Sequence, residues 1–177
     1  DSDLIGEMYF TFELPDIYSR SNLKFRWIRR LAEYVVKDLT FRVGNNEIDK
    51  QYSEFFQIWA ELNQTTEQKT AYNKMIGNTT DMYDPESVTG HSTYPGSTTS
   101  TALAYPSIVG RRLYLPLRLY FNSHSSLALP LIALQYEDVF IDITLRQIND
   151  LYIILNSGII AAPSTSAHDI GNFLLTT

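Results

Sequence analysis

Alternation of apolar and polar positions, with a period of two, runs through much of the chain. Over residues 4–14, Met8, Phe10, Phe12 and Leu14 fall on one side while Tyr9, Thr11 and Glu13 fall on the other, the pattern of a half-buried strand. Pro15 ends it, because proline has no N–H to give to a ladder. Residues 16–30 read as a polar connection. A second strand over residues 35–43 places Leu39, Phe41 and Val43 inward and Thr40 and Arg42 outward. Gly44-Asn45-Asn46 then predicts a tight reversal, since these residues tolerate positive φ. Helical spacing follows. Tyr52, Phe55, Phe56, Trp59 and Leu62 recur at helical intervals, with Asp49 as the expected N-cap. A helix this short needs a surface to dock on. Burying Phe55 and Trp59 is worth roughly 2 kcal/mol each. A second short helix is predicted over residues 67–76, with Thr65 and Gln68 at capping-box spacing and Gly77 at its end.

From residue 78 to residue 110 the periodic pattern gives way to Ser, Thr, Gly, Pro and Tyr, which predicts a long exposed loop with room for one short strand. Strand signal returns at residues 113–121, where Leu113, Leu115, Leu117, Leu119 and Phe121 alternate with Tyr114, Pro116, Arg118 and Tyr120. Pro116 argues for an edge or a bulge there. Residues 122–126 form a polar turn and residues 127–134 an apolar connection. Val139, Ile141, Ile143 and Leu145 mark the next strand, and residues 151–155 add another. Residues 156–177 are small and polar, and read as a linker. Alternating strands with long connections and short helices predict an all-β sandwich. Its expected core is Phe10, Phe12, Phe41, Phe55, Trp59, Leu117 and Ile141. Alternation alone does not separate a jelly roll from an immunoglobulin-like sandwich.

Composition narrows the function. Hydrophobic residues make up 44% of the 177 and charged residues 19%, a globular balance. The 14 Lys and Arg against 20 Asp and Glu give a net charge of −6, which opposes a DNA-coating role. The basic cluster Lys24, Arg26, Arg29 and Arg30 around Trp27 reads as a solvated loop or turn, with a nucleic-acid or partner-protein contact as the alternative. The absence of cysteine removes thiol catalysis, disulfides and thiolate metal sites. Every apolar run is interrupted before it can span a bilayer. The opening Asp1-Ser2-Asp3, without an initiator Met, reads as part of a longer protein. His91, His124 and His168 are scattered without metal-ligand spacing, and no nucleophile elbow or phosphate-cradling loop occurs. Glu137, Asp138 and Asp142 cluster, and are expected as a solvated sheet face rather than a cation site. Asn63 and Asn78 head glycosylation sequons. No catalytic, metal-binding or cofactor-binding residue is expected.

Local sequence supplies what periodicity lacks. Asp3-Leu4-Ile5-Gly6-Glu7-Met8-Tyr9 resembles the strand opening of major capsid proteins from nucleocytoplasmic large DNA viruses. The Gly-rich hairpin running from Gly44 into Ile48-Asp49-Lys50-Gln51-Tyr52 is similar to the same family. So are the aromatic helix with Phe55, Phe56, Ile58, Trp59, Glu61 and Leu62, and the stretch Tyr72-Asn73-Lys74-Met75-Ile76-Gly77. The fullest match is Leu127-Ala128-Leu129-Pro130-Leu131-Ile132-Ala133-Leu134-Gln135-Tyr136. Order and spacing agree across most of residues 3–146. Departures fall at residues 122–126 and in the length of the 78–110 loop.

The resemblance implies a double jelly roll, paired β-sandwiches side by side. This chain would hold the first of them in residues 1–155, without its first strand, followed by the 156–177 linker. It further implies homotrimers of hexagonal outline tiling an icosahedral shell, with neighbouring capsomers, penton and minor capsid proteins as partners. Localisation would be the virion capsid, after synthesis and assembly in host cytoplasm. Direct nucleic-acid contact, a membrane span, a cofactor and enzymatic turnover are not expected. A carbohydrate-binding jelly-roll module is the rival reading. Its sign, exposed aromatics beside a carboxylate, is carried by Tyr94, Tyr105 and Asp84 in the long loop.

Overall fold

Strand periodicity is realised as short antiparallel sheets around one apolar core. The computed structural model describes residues 4–18, 23–88, 106–134, 136–156 and 159–161. In chain order these form β1 (Leu4–Ile5), β2 (Tyr9–Leu14), β3 (Leu23–Trp27), α1 (Leu31–Val35), β4 (Val36–Val43) and β5 (Asn46–Tyr52). Next come α2 (Ser53–Asn63), α3 (Thr66–Met75), α4 (Thr80–Tyr83), α5 (Pro85–Val88) and β6 (Arg111–Pro116). The series closes with β7 (Leu129–Pro130), β8 (Val139–Leu145), β9 (Tyr152–Asn156) and β10 (Ile159–Ala161).

β4 lies between β5 and β8, and β9 lies between β3 and β10. β2 pairs with β6, and β1 with β7. All these pairings are antiparallel. The expected single strand over residues 4–14 is therefore two, which diverge to different partners around Gly6. The reversal after β4 occurs at Gly44, whose φ of 56° suits glycine. Gly77 ends the second predicted helix with φ 75°, and a Cβ there would come within 2.8 Å of Leu113 Cδ1. Thr65 and Gln68 form the predicted capping box.

The core joins residues from every sheet. Phe41, Leu39, Phe25, Trp27, Phe56, Phe121 and Tyr152 are buried. Phe25 stacks on Tyr152 at a centroid distance of 5.1 Å and meets Trp27 edge-on at 4.9 Å. Of the predicted core residues, Phe41 and Leu117 are buried, while Phe10, Phe12 and Ile141 are half-buried against the same cluster. Trp59 is half-buried. Phe55 is 40% exposed and does not belong to the core. The reason is the face that α2 presents: Ser53, Phe56 and Ala60 turn inward, and the small first and last of these let the helix approach closely.

Other expectations change with the pairing. Asp49 lies in β5, accepting from Gln51 Nε2 at 2.8 Å, and Tyr52 occupies the N-cap of α2. Thr40 is buried although it points away from the core side, because Lys50 and Asp142 flank it on both neighbouring strands. The polar connection over residues 16–30 contains β3, with Phe25 and Trp27 inward. Lys24 and Arg26 are thus strand residues rather than part of a solvated turn. The long loop begins with two helical turns, α4 and α5, and Met82 of α4 is buried. The strand predicted over residues 113–121 stops at Pro116, which cannot extend the ladder. Even so, Leu117, Leu119 and Phe121 stay buried.

Phe41→Ala is expected to cost about 3–5 kcal/mol of stability, and Phe55→Ala less than about 1 kcal/mol. Denaturant unfolding of the complete protein measures both, and equal costs would overturn this division of the two aromatics.

Candidate assembly surfaces

Three helices are tied together from inside. Glu33 of α1 is wholly buried and accepts from Arg30 Nε at 2.6 Å and Nη2 at 2.9 Å. The hydroxyl of Tyr72, on α3, donates to the same carboxylate at 2.8 Å. Arg30 also reaches Glu61 of α2 at 3.4 Å, and Glu61 pairs with Lys69 of α3. Arg30 adopts a left-handed backbone with φ 56°, a conformation disfavoured for a side-chain-bearing residue. The bidentate pairing with Glu33 offsets that strain. Hydrogen bonding to Glu33 raises the Arg30 pKa further. Burial, and then the Glu33 charge, push the Tyr72 hydroxyl well above its ordinary pKa.

Arg30–Glu61 links this network to α2, a helix that turns Ser53, Phe56 and Ala60 inward. Phe55, Ile58 and Leu62 are exposed along it, and Tyr52 is exposed just before it. A second apolar surface comes from the segment that carries the fullest family resemblance. Leu127, Leu131 and Ile132 are exposed there, and Tyr136 is 97% exposed. A third is a cleft of about 340 Å³ lined by Phe10, Phe12, Trp27, Leu145 and Ile148, where the sandwich stands open. Single exposed apolar residues are ordinary, but runs of them on one helix face or one segment mark a surface that other protein covers.

Arg118 stands beside the first of these surfaces. Its guanidinium lies over the Trp59 ring, 3.6 Å from the centroid. It borders a pocket of about 180 Å³ with Glu7, Tyr9, Met75 and Asn122. Among the described residues its side chain has no hydrogen bond or ion pair, and burial lowers its pKa.

The remaining predicted sites disperse. Asp142 receives Arg42 Nε at 2.6 Å, while Glu137 sits against Gly44. No group of three or more His, Cys, Asp or Glu among the described residues is placed to hold a metal ion. His124 Nδ1 engages Ser126, whereas His91 and His168 lie outside the described residues. Tyr94 and Tyr105 of the rival site also lie outside them, and Asp84 is half-buried at the end of α4. Asn63 donates to the Trp59 carbonyl at 3.0 Å, and Asn78 donates to Asn73 at 3.0 Å. In the basic cluster, Lys24 pairs with Glu86 and Arg29 lies over the Tyr83 ring at 4.5 Å. No helix among the described residues is long and apolar enough to cross a membrane.

The described residues form antiparallel sheets with three apolar surfaces left open. The family described as "Major capsid protein N-terminus" matches residues 1–172, and the chain belongs to that family. Capsid protein 1 of Acanthamoeba polyphaga mimivirus is 32% identical over 157 residues, covering 85% of this chain and 25% of that protein. The major capsid protein of Phaeocystis pouchetii virus is 31% identical over 158 residues, covering 85% of this chain and 30% of that one. The quasi-atomic model of the PBCV-1 virus capsid aligns with a TM-score of 0.57 at 22% identity, over 98% of this chain and 33% of its own. That likeness shows the fold, a jelly-roll β-sandwich. The chain spans between a quarter and a third of the length of these proteins.

The raised Tyr72 pKa gives a pH prediction. Below the ordinary tyrosine pKa of about 10 the hydroxyl is neutral in folded and unfolded chains alike, and its contribution to stability is complete. Above about pH 10 the unfolded chain releases this proton while the folded one keeps it, so stability falls as pH rises. Tyr72→Phe is expected to flatten part of that alkaline loss. Urea midpoints across pH 8 to 11 measure it, and identical slopes in variant and parent would remove the network's role.

Proposed function

We propose that this chain is the first jelly roll of a structural capsid protein that forms homotrimeric, pseudo-hexagonal capsomers of an icosahedral large-DNA-virus shell. The observation that carries this reading is the family match across residues 1–172. The exposed apolar segment around Leu131, Ile132 and Tyr136 supports it, since such a run suits contact with further protein. In this reading residues 1–155 hold the roll, β10 (Ile159–Ala161) extends its β9–β3 sheet into the stretch expected as a linker, and the chain then leads toward a second roll. Partners are other copies, neighbouring capsomers, penton and minor capsid proteins, and the protein resides in the virion after assembly in host cytoplasm. Its work is done through interfaces, without turnover or cofactor. The net charge of −6 agrees with a shell that does not itself coat nucleic acid.

Negative-stain imaging of the complete protein tests the proposal. Three-fold particles of hexagonal outline are expected. Monomers with no tendency to assemble would overturn it and favour the carbohydrate-binding module, which glycan-array binding would then check.

A further inference from the structure

We infer that the Arg118–Trp59 stack is the anchor of a contact between copies of this chain, and that it receives the acidic tip formed by Glu47, Glu137 and Asp138 of the next copy. This rests on the self-assembling shell proposed above.

The receiving side carries an unmet charge. Arg118 is held flat over Trp59, so its planar fork is ordered before any partner arrives. Its Nε is buried without a hydrogen-bond acceptor, and no acid among the described residues pairs with the guanidinium. The exposed Tyr9 lines the same pocket as Arg118. Arginine and large aromatics together are the composition of energetic centres in protein interfaces.

The donating side carries the matching excess. Glu47, Glu137 and Asp138 are exposed, and none has a side-chain hydrogen bond or ion pair among the described residues. They gather at one end of the β5–β4–β8 sheet. Arg42 on β4 is paired with Glu47, Val43 with Val139, and the Gly44 amide donates to the Asp138 carbonyl at 2.8 Å. The cation beside them, Arg42, is already engaged by Asp142, so this end of the sheet keeps an excess of negative charge that suits an incoming cation.

The two features cannot meet within one molecule. Gln51 donates to the Arg118 carbonyl at 2.7 Å and pairs with Leu39, whereas the acidic tip lies beyond Val43. Four residues of strand separate them, a span of about 13 Å. Stack and tip are therefore different surfaces, and joining one to the other is a head-to-tail contact. Contacts of that kind close into a ring, a trimer among them, where the rotation between copies closes, and otherwise run on as a filament.

Charge exchange in the complete protein tests this. Arg118→Glu alone, and Glu137→Lys with Asp138→Lys alone, are each expected to raise the self-association constant for dissociation about thirtyfold or more by sedimentation. Combining all three is expected to recover most of the loss, which a merely misfolded Arg118 variant would not do. The tip variant changes only exposed side chains, so it stays informative even where Arg118→Glu folds poorly. Parent-like association of the tip variant, or no recovery in the combination, would overturn the contact while leaving the capsid reading intact. A parent protein that never self-associates would overturn both.

Discussion

Glu33 brings a carboxylate into an interior from which water is excluded, and the helical side of this domain is arranged around satisfying it. A buried charge left unpaired is costly, whereas one that is fully hydrogen-bonded is tolerated and fixes geometry. Here the acceptors are used by Arg30 twice and by Tyr72 once. Arg30 and Glu33 are three residues apart, but Tyr72 is distant in the chain, so the network joins α1 to α3, which strand pairing alone does not connect. Arg30 needs an unusual backbone to reach Glu33, and that backbone also turns the chain from β3 into α1. The Ala32 amide then donates to the Ile76 carbonyl at 3.0 Å, locking α1 to the end of α3.

From that constraint follows the distribution of apolar surface. Arg30 and Lys69 both pair with the largely exposed Glu61, so these contacts only guide α2, and burial of Phe56 decides its rotation. The helix buries Ser53, Phe56 and Ala60 and leaves Phe55, Ile58 and Leu62 outside. Rotating the helix to bury the larger set would break the Glu61 pairings and move Phe56 away from the core. The exposed stripe is thus a consequence of how the interior is tied, and the domain carries it into whatever surrounds it.

Much of this was legible in the residues, though unevenly. Period-two alternation located β2, β4, β6 and β8 because each has a solvated face that leaves polar residues in register. The capping box at Thr65 and Gln68 was readable because it is wholly local. β3 was hidden by its charges: Phe25 and Trp27 alternate with Lys24 and Arg26, a strand pattern obscured by reading the four basic residues as one solvated group. α2 was located correctly but its buried face was not. Hydrophobicity ranks Phe55 above Ser53, while close approach to the sheet favours the small residue. Arg30 and Glu33 lie three apart, but nothing in the spacing announces that the pair is buried or that Tyr72 and Trp59 complete the roles of Glu33 and Arg118, since those partners are distant in the chain.

The same uneven legibility explains why family resemblance outlasts core prediction in this domain. The segment from Leu127 to Tyr136 is apolar enough to be read as buried, yet Leu127, Leu131, Ile132 and Tyr136 face solvent. Apolar area left in water contributes nothing to stability until it is buried, so this segment suits the contact surface that the proposed capsid role calls for. The charge pattern points the same way. Arg42 and Arg146 find acids on neighbouring elements of the same sandwich, whereas Arg118 stands ordered over Trp59 with none. Side chains that are costly or idle in the isolated domain are reconciled with its stability once the domain is taken as one tile of a larger surface.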